Sequence, residues 1–562
     1  MDDMLSLDEF IALPTTVDFV AVNSRRFRRY ADERPFIRIG TVLPDANFVI
    51  AYTDQEYIPQ IFGETESNFI TSFPAVFSLL DTQANEASGI TPLQQNPHLD
   101  LRGQGVLLGF IDTGIDYTKD AFRYADGTSK IKYLWDQTVP GNPPEDMRFG
   151  SVYTQEQINR ALRSPDPREI VPSLDTHGHG TFLASVAGGH ENNEYMGVAP
   201  DSEIVFVKLK RARNYYYERF TLPRDNPYLY QSTDFMLGIK FIIDHTIEFN
   251  RPVAICVGMG TNFGPHNGTL VSEQYISAVS RRLGVAIVTA AGNESNTRRH
   301  TTGTIRKTGD TETISVNVGQ RVSSFSTYIW SAPYNTMSVS VQSPTGQVIP
   351  RKPFIPGFTS ADTLIFERST VKIYYYPENI HYIGVTITDP TPGLWNINLY
   401  GDYIIDGRYN AWMSLLCDNV AFLRPDPNFT VVSPATALRT ITAGAYDSRN
   451  GSLYVASSWG PTAALRMSPD FVAPGVDVRG VFPTGYGTMT GTSVAAAMSA
   501  GAAALLLQWG IIRGNEVSMN GDRVRTLLIS GCRRNSDTVY PNYQTGYGQL
   551  DLFNTFNRMR VT

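Results

Sequence analysis

Ser493 has the setting in this sequence that best suits nucleophilic chemistry. It follows a turn at Gly491 and Thr492 and precedes an Ala-rich run without Pro, so we predict that it begins a buried helix. The N–H groups at a helix start are unpaired and favour negative charge, which suits an oxyanion forming beside a serine. A serine that only caps a core helix is the alternative explanation of this local pattern.

Asp112 and His179 could assist such a serine. Asp112 ends a long apolar run, and its Asp-Thr-Gly is either a common turn or the signature of an aspartic protease. The latter chemistry needs a second carboxylate of the same kind, and no other Asp-Thr-Gly or Asp-Ser-Gly occurs in the sequence. His179 stands between Gly178 and Gly180, which clear space around a ring at the start of a helix predicted over 181–188. An imidazole held in this way is the general base that a serine needs.

Two further polar groups near these residues have alternative explanations. His177 and His179, with Asp175 two residues earlier, resemble a His-x-His metal pair, but no third ligand follows at a recognisable spacing. We therefore expect no metal and no cofactor. Asn293 follows Gly292 at the end of an apolar run, and its amide is a neutral donor that can bond an oxyanion. An Asn in an ordinary polar turn is the alternative.

The composition is that of a packed protein of several domains. The chain has 562 residues, 42% of them hydrophobic and 18% charged, and its net charge of -7 gives no reason to expect nucleic acid. The acidic N-terminus lacks the features of a secretion signal, so we expect cytoplasmic synthesis. The longest apolar run, 494–509, is interrupted by Ser499 and Gln508 and is too short for a membrane span. Three scattered cysteines predict reduced core residues, without a disulfide framework or zinc site: Cys256, Cys417 and Cys532.

Alternating strand and helix patterns predict a doubly wound α/β domain with a parallel sheet. Buried strands are predicted within 104–116 and over 202–209, 252–258, 285–291 and 440–445, and helices over 235–244, 274–282 and 550–558. Chemistry in such sheets lies at the carboxyl ends of the strands, where Asp112 and Asn293 are placed.

Two other segments depart from the α/β pattern. Residues 1–83 predict a small α+β unit with strands at 36–40 and 47–52, followed by an exposed linker. Residues 301–428 predict an inserted all-β module, a sandwich or jelly roll, because strand patterns follow one another at 313–318, 337–341, 371–376, 382–388 and 394–400. The α/β domain then comprises 84–300 and 429–562.

Together the motifs resemble the subtilisin-like serine proteases, the subtilases. The order Asp, His, Asn, Ser matches that family at Asp112, at Gly178-His179-Gly180, at Ala291-Gly292-Asn293 and at Gly491-Thr492-Ser493. Supporting matches are Gly197 to Pro200 and Val472 to Gly475. The resemblance covers about 90–300 and 430–560. It implies a subtilisin-like fold.

The resemblance also implies a role for each residue. Ser493 is the nucleophile, His179 the general base, Asp112 the group that orients His179, and Asn293 an oxyanion-hole donor. Substrate binding is expected along Gly258, Met259, Gly260, Ala291 and Gly292. Departures from the family at Phe182 and at 496–498 shape the helices and do not carry the proton relay. The 258–260 strand also departs from the family, so side-chain preference cannot be transferred.

The N-terminal unit and the β insertion resemble parts of the Csp proteases of clostridial spores. The N-terminal unit resembles a subtilase prodomain over 1–83, which the enzyme cuts itself and which we expect to stay bound non-covalently. From the distance to Asp112 we place this cut within 82–84, after Gln83. The Csp resemblance further implies a spore protease, located in the coat or cortex, that activates a cortex-lytic hydrolase zymogen in germination. We also expect the protein to be a monomer. A general bacterial subtilase of unknown substrate and a non-catalytic signalling pseudoprotease are the alternatives.

Overall fold

The computed structural model describes residues 7, 10, 13, 15–22, 24–43, 48–57, 70–72, 87–95, 99–144, 147, 149–191, 194–212, 226–355, 358–375, 382–415, 417 and 419–559. The chain divides into two compact units, Met1–Leu79 and Leu80–Thr562.

The first unit has an antiparallel sheet and one described α-helix of two turns. Its described strands lie in the order Arg38–Leu43, Phe48–Asp54, Thr16–Val22 and Ile70–Ser72. The helix Arg25–Asp32 begins at Ser24, whose hydroxyl accepts a hydrogen bond from the Phe27 N–H at 3.1 Å. Both predicted strands are present, with ends that differ by one to three residues. Gln83 and the predicted cut lie outside the described residues.

A largely parallel sheet organises the α/β part of the second unit. Among the described residues it has eight strands, in the order Phe471–Pro474, Ile441–Tyr446, Val285–Ala290, Val253–Val257, Leu107–Asp112, Glu203–Lys208, Ile131–Asp136 and Ser151–Thr154. All neighbouring pairs are parallel except the last. Four of the sheet's inner strands are buried along their whole length, as predicted for a sheet covered on both faces.

Helices cover both faces of this sheet. The helices His179–Gly188 and Thr492–Leu507 pack on one face, and Ser232–Phe249 and Val271–Val279 on the other. The remaining described helices are Thr91–Gln94, Gln155–Arg163, Gly521–Gly531 and Leu552–Met559, with one-turn 3-10 helices at Gln55–Tyr57, Asp120–Phe122 and Pro167–Glu169. The predicted subtilisin-like doubly wound α/β architecture is confirmed.

The helix that carries Ser493 extends beyond the apolar run 494–509. The segment Thr492–Ile512 is continuous over 21 residues because a π-helical turn, Gln508–Ile512, extends the α-helix. By length and composition it could cross a membrane. It nevertheless lies against the central sheet, with 83% of its most apolar window buried inside the protein, so its apolar character reflects core packing.

The segment between the two α/β parts forms a pair of antiparallel sheets around one apolar core, here called the β module. In the described residues, one sheet has the order His300–Ile305, Gly407–Met413, Ser324–Ser331, Tyr382–Thr388, Ser369–Tyr375 and Thr359–Leu364. The other has the order Val348–Lys352, Thr336–Gln342, Gly393–Tyr403, Thr311–Val318 and Val420–Phe422. Two hairpins complete the unit, His190–Glu191 with Tyr195–Met196 and Val478–Phe482 with Gly485–Met489.

Candidate active site

Three parallel strands bring polar or flexible residues to one edge of the central sheet. The strand Leu107–Asp112 pairs with Val253–Val257, which in turn pairs with Val285–Ala290. Because the strands are parallel, their carboxyl ends meet at the same edge. Asp112, the segment after Val257 and the segment after Ala290 therefore face a common space.

Asp112 and His179 form a direct pair at this edge. Asp112 Oδ1 lies 2.8 Å from His179 Nδ1 and also accepts the Thr113 N–H at 2.7 Å. The Asp112 side chain is only 2% exposed, and its Oδ2 has no hydrogen-bond partner among the described residues. A carboxylate oxygen can only accept, so this contact fixes the Nδ1–H tautomer of His179 and turns Nε2 toward the cleft.

Asp175 anchors the loop that carries His179. Its Oδ1 accepts the Gly178 N–H at 2.8 Å and the Thr113 hydroxyl at 2.9 Å, and its Oδ2 accepts the Thr181 N–H at 3.0 Å. The carboxylate therefore caps the helix that begins at His179 and ties it to the strand end at Asp112. The sequence interpretation missed this role, although an Asp placed just before a helix start is a capping signal.

The electrostatic environment makes His179 a stronger base than a free imidazole. Burial on its own lowers the pKa of His179, but the Asp112 carboxylate, by charge and by hydrogen bond, and the more distant Asp175 together raise the pKa above its ordinary value. The His179 side chain keeps 21% of its surface exposed. It can therefore exchange a proton with a group in the cleft.

Ser493 occupies the start of the helix Thr492–Leu507, beside the His179 ring. A side-chain Cβ placed at Gly258 would lie 3.1 Å from His179 Cε1 and 3.3 Å from Ser493 Cβ, so the two residues share the space that Gly258 leaves open. No hydrogen bond joins Ser493 to His179 within the described part of the chain. Catalytic contacts of this type are often long before substrate binds.

Asn293 presents its amide to the same space. Asn293 Oδ1 accepts the Thr492 N–H at 3.1 Å and the Thr492 hydroxyl at 3.2 Å, so its NH2 group points the other way. A Cβ built on Gly491 would lie 3.5 Å from both Asn293 Nδ2 and Ser493 Oγ. The Ser493 N–H has no backbone carbonyl partner among the described residues. The Asn293 amide and the Ser493 hydroxyl therefore border the same space beside Gly491.

The predicted substrate edge follows the strand Val253–Val257. The backbone of Gly258, Met259 and Gly260 forms no backbone hydrogen bonds with other described residues, and Gly260 is exposed. Thr261 then pairs with Ser433 through hydrogen bonds of 2.8 and 3.0 Å. An extended peptide can add to such a free segment as an extra strand.

Ala291 and Gly292 form the second wall of the cleft, opposite the Gly258–Gly260 segment. Ala291 O accepts the Val432 N–H at 2.9 Å, and Gly292 donates its N–H to the Thr492 hydroxyl at 3.0 Å. Gly292 has φ 107°, and a Cβ there would meet Val432 Cγ1 at 2.7 Å and Ser458 Oγ at 2.9 Å. Only glycine fits this position. The wall that carries Asn293 is therefore fixed on both sides.

His177 lies outside the Asp112–His179 pair. It is exposed, its ring centroid is 6.1 Å from that of His179, and its ring packs edge-on against Tyr228 at 4.6 Å. Within the described residues, no three His, Cys, Asp or Glu side chains are grouped so that they could hold a metal ion.

Most of the chain is similar to known proteins. The subtilase family matches residues 103–354 and 424–548, which is more than half of the chain. The chain belongs to the subtilase family, and its class is that of a subtilisin-like serine peptidase.

One solved structure is similar over most of both chains. The CspB protease of Clostridium perfringens is 32% identical, with 84% of this chain and 96% of that chain covered and a TM-score of 0.74. Serine protease AprX of Bacillus subtilis (strain 168) is 29% identical over 153 residues, and subtilisin-like protease SBT2.1 of Arabidopsis thaliana is 27% identical over 212. These matches span 33% of AprX and 23% of SBT2.1.

Proposed function

We propose that this chain is a serine endopeptidase that uses Asp112, His179 and Ser493 as its catalytic triad and Asn293 in its oxyanion hole. The observation that carries the proposal is the 2.8 Å contact between Asp112 and His179, beside a serine at a helix start and a free amide. A structural serine would need neither an ion-paired imidazole nor an amide donor beside it.

The proposed reaction begins when a peptide pairs with the Gly258–Gly260 segment. His179 Nε2 takes the Ser493 hydroxyl proton as the oxygen attacks the scissile carbonyl, and Asp112 stabilises the resulting imidazolium. The Asn293 amide and the Ser493 N–H hold the oxyanion. His179 then gives the proton to the leaving amine. In the second half of the reaction His179 takes a proton from water as the water attacks the acyl-enzyme, and it returns that proton to Ser493.

A fluorophosphonate tests the chemistry directly, because it phosphonylates only a serine that a base has activated. We expect the wild type to be labelled at Ser493, and Ser493→Ala and His179→Ala to remain unlabelled. A folded wild-type protein that resists the reagent would remove the catalytic proposal and leave the pseudoprotease, a binding protein for germination signals, as the better account.

We further propose that the chain is made as a self-processing zymogen. The support is the separate α+β unit Met1–Leu79 ahead of the protease part, and the similarity to the CspB protease over 84% of the chain. In this proposal 1–83 is a prodomain that folds the protease, is cut after Gln83 and stays bound, and the β module is a jelly roll.

The spore role is the most specific part of the proposal. It rests on the resemblance to the Csp proteases, and it makes a cortex-lytic hydrolase precursor the substrate and the spore coat or cortex the location. Incubating the purified protein with such a precursor should yield one defined cleavage product. Uniform degradation of that precursor and of casein alike would favour a general bacterial subtilase.

A further inference from the structure

The loop 261–270, which directly follows the substrate edge, packs against the β module through Phe263 and His266. The Phe263 ring lies edge-on to Tyr328 at 5.1 Å and to Tyr382 at 5.9 Å, and Trp330 lies at 6.1 Å. These aromatic residues belong to the six-stranded sheet, on the face opposite to the module's own core. Phe263 is three residues from Gly260, so the module contacts the loop almost at the cleft.

His266 makes the second contact. It is fully buried and stacks on Trp412 of the module, with ring centroids 4.1 Å apart and an interplanar angle of 9°. Its Nδ1 donates to the Val431 carbonyl at 2.6 Å, and its Nε2 lies 3.1 Å from the Asn262 carbonyl. Its φ of 51° is uncommon for a residue with a side chain and persists only where surrounding contacts hold it.

The contacts of His266 and Trp412 also reach the second wall of the cleft, at Ala291. His266 bonds Val431, and the next residue, Val432, donates its N–H to the Ala291 carbonyl. Trp412 Nε1 donates to the Phe429 carbonyl of the same segment at 3.0 Å. Asn262 Nδ2 donates to Glu294 Oε2 at 3.2 Å, which links the two walls to each other. Both walls therefore depend on Trp412 and its neighbours in the β module.

We propose that Phe263 and His266 are positioning residues, which use the β module to hold the Gly258–Gly260 backbone extended and ready to pair with a peptide. This inference rests on the proposed function. A backbone segment that is ordered before binding loses less conformational entropy when a substrate strand adds to it. The benefit falls on substrates that extend along the segment, because a single-residue ester does not contact it.

Two variants of His266 separate its contacts. His266→Phe keeps an aromatic ring against Trp412 and removes the bond to Val431, whereas His266→Asn can keep a donor near the Nδ1 position and removes the stack. His245→Phe is the matched control, because His245 Nδ1 also contacts a carbonyl, that of Phe241 at 2.7 Å, and its ring also packs on an aromatic side chain, away from the cleft.

The experiment measures amide exchange and kinetics on the full chain. For His266→Phe we expect about tenfold faster exchange at the Thr261 N–H, and a KM about tenfold higher for an extended p-nitroanilide peptide, from the lost buried hydrogen bond. Hydrolysis of a single-residue p-nitrophenyl ester should stay within about twofold. His245→Phe should leave all three readings at the wild-type level.

Equal losses on the peptide and the ester, or unchanged exchange at Thr261, would overturn the inference. Phe263→Leu, which keeps an apolar side chain, provides a second test if His266→Phe does not fold, and it should raise KM for the peptide alone. Failure of the proposed function looks different. The wild type would then resist fluorophosphonate and hydrolyse neither substrate, while amide exchange would still decide whether His266 orders the edge.

Discussion

His179 in the cleft, which is partly exposed, and His266 against the β module, which is fully buried, lie in opposite electrostatic settings. His179 faces the Asp112 carboxylate, which together with Asp175 outweighs burial and raises its pKa. Burial dominates at His266 and lowers its pKa to about 4. Among the described residues its ring nitrogens meet the carbonyls of Val431 and Asn262 and no carboxylate. A carboxylate partner and an open face make a base, whereas carbonyl partners and a stacked Trp412 make a fixed structural contact.

The largest expected difference comes from removing each imidazole. His179→Ala should lower kcat by about 10⁶, the order known for the histidine of subtilisin, because no group remains to take the Ser493 proton. His266→Ala should leave kcat within about tenfold, because His266 touches no reacting atom. Steady-state kinetics on one peptide measures both. Similar losses of kcat in the two variants would end the distinction.

The next largest effect should come from Asp112, because its carboxylate distinguishes the setting of His179 from that of His266. Asp112→Asn should lower kcat by about 10⁴, because an amide can hold His179 in the wrong tautomer and cannot stabilise its charged form. Burst kinetics with an ester separates acylation from later steps. Retention of more than about a tenth of wild-type kcat would mean that Asp112 does not orient the base.

Asn293 tests the donor side of the cleft. Asn293→Ala should lower kcat by about 10²–10³ with little change in KM, as found for the corresponding donor of subtilisin, since the donor acts on the oxyanion. Asn296→Ala is the control, because Asn296 is an exposed asparagine of the same loop. An unchanged kcat in Asn293→Ala would exclude its amide from the mechanism.

The pH dependence of activity should follow His179. Activity needs the neutral imidazole, so it should fall as the pH drops through a His179 pKa that lies above the ordinary value. In Asp112→Asn the acidic limb should move to lower pH, because the main cause that raises the pKa is gone. A pH profile of kcat/KM in both proteins measures the shift, and a shift to higher pH would contradict the assignment.

The smallest effect concerns the change of folding stability with pH, which has opposite signs at the two histidines. The unfolded chain binds a proton at His266 below about pH 6.5, but the folded chain does so only near pH 4, so acid destabilises the fold in that window. His266→Phe should remove about 1–2 kcal/mol of the stability lost between pH 6.5 and 5. His179, with a raised pKa, contributes stability at low pH that is lost as the pH rises. Urea unfolding at both pH values tests this, and an unchanged acid slope in His266→Phe would refute it.

The sequence predicted the α/β architecture well because its evidence is local. Apolar strands that end at Asp112 or before Asn293, and a helix that starts at Ser493, follow from residue type and spacing. The roles of Asp175 and His266 could not be predicted in the same way. Asp175 acts through Thr113, 62 residues away, and His266 through Val431, 165 residues away, so both depend on contacts that only the folded chain creates.

The sequence suggested a run over 494–509 that is too short for a membrane span, whereas the helix continues to Ile512. Ser499 and Gln508 look like interruptions, but each has a partner inside the protein. The Ser499 hydroxyl donates to the Ala495 carbonyl at 2.7 Å, and Gln508 Oε1 accepts the Gly103 N–H at 2.7 Å. Polar residues that are satisfied within the fold need not end a buried helix.

The most direct test of the central claim compares the wild type with Ser493→Ala after parallel expression, by intact mass and N-terminal sequencing. We predict two fragments from the wild type, divided after Gln83, and one uncut chain from Ser493→Ala, because the cut needs the chain's own serine. Two uncut chains, or the same division in both proteins, would contradict a self-processing serine peptidase.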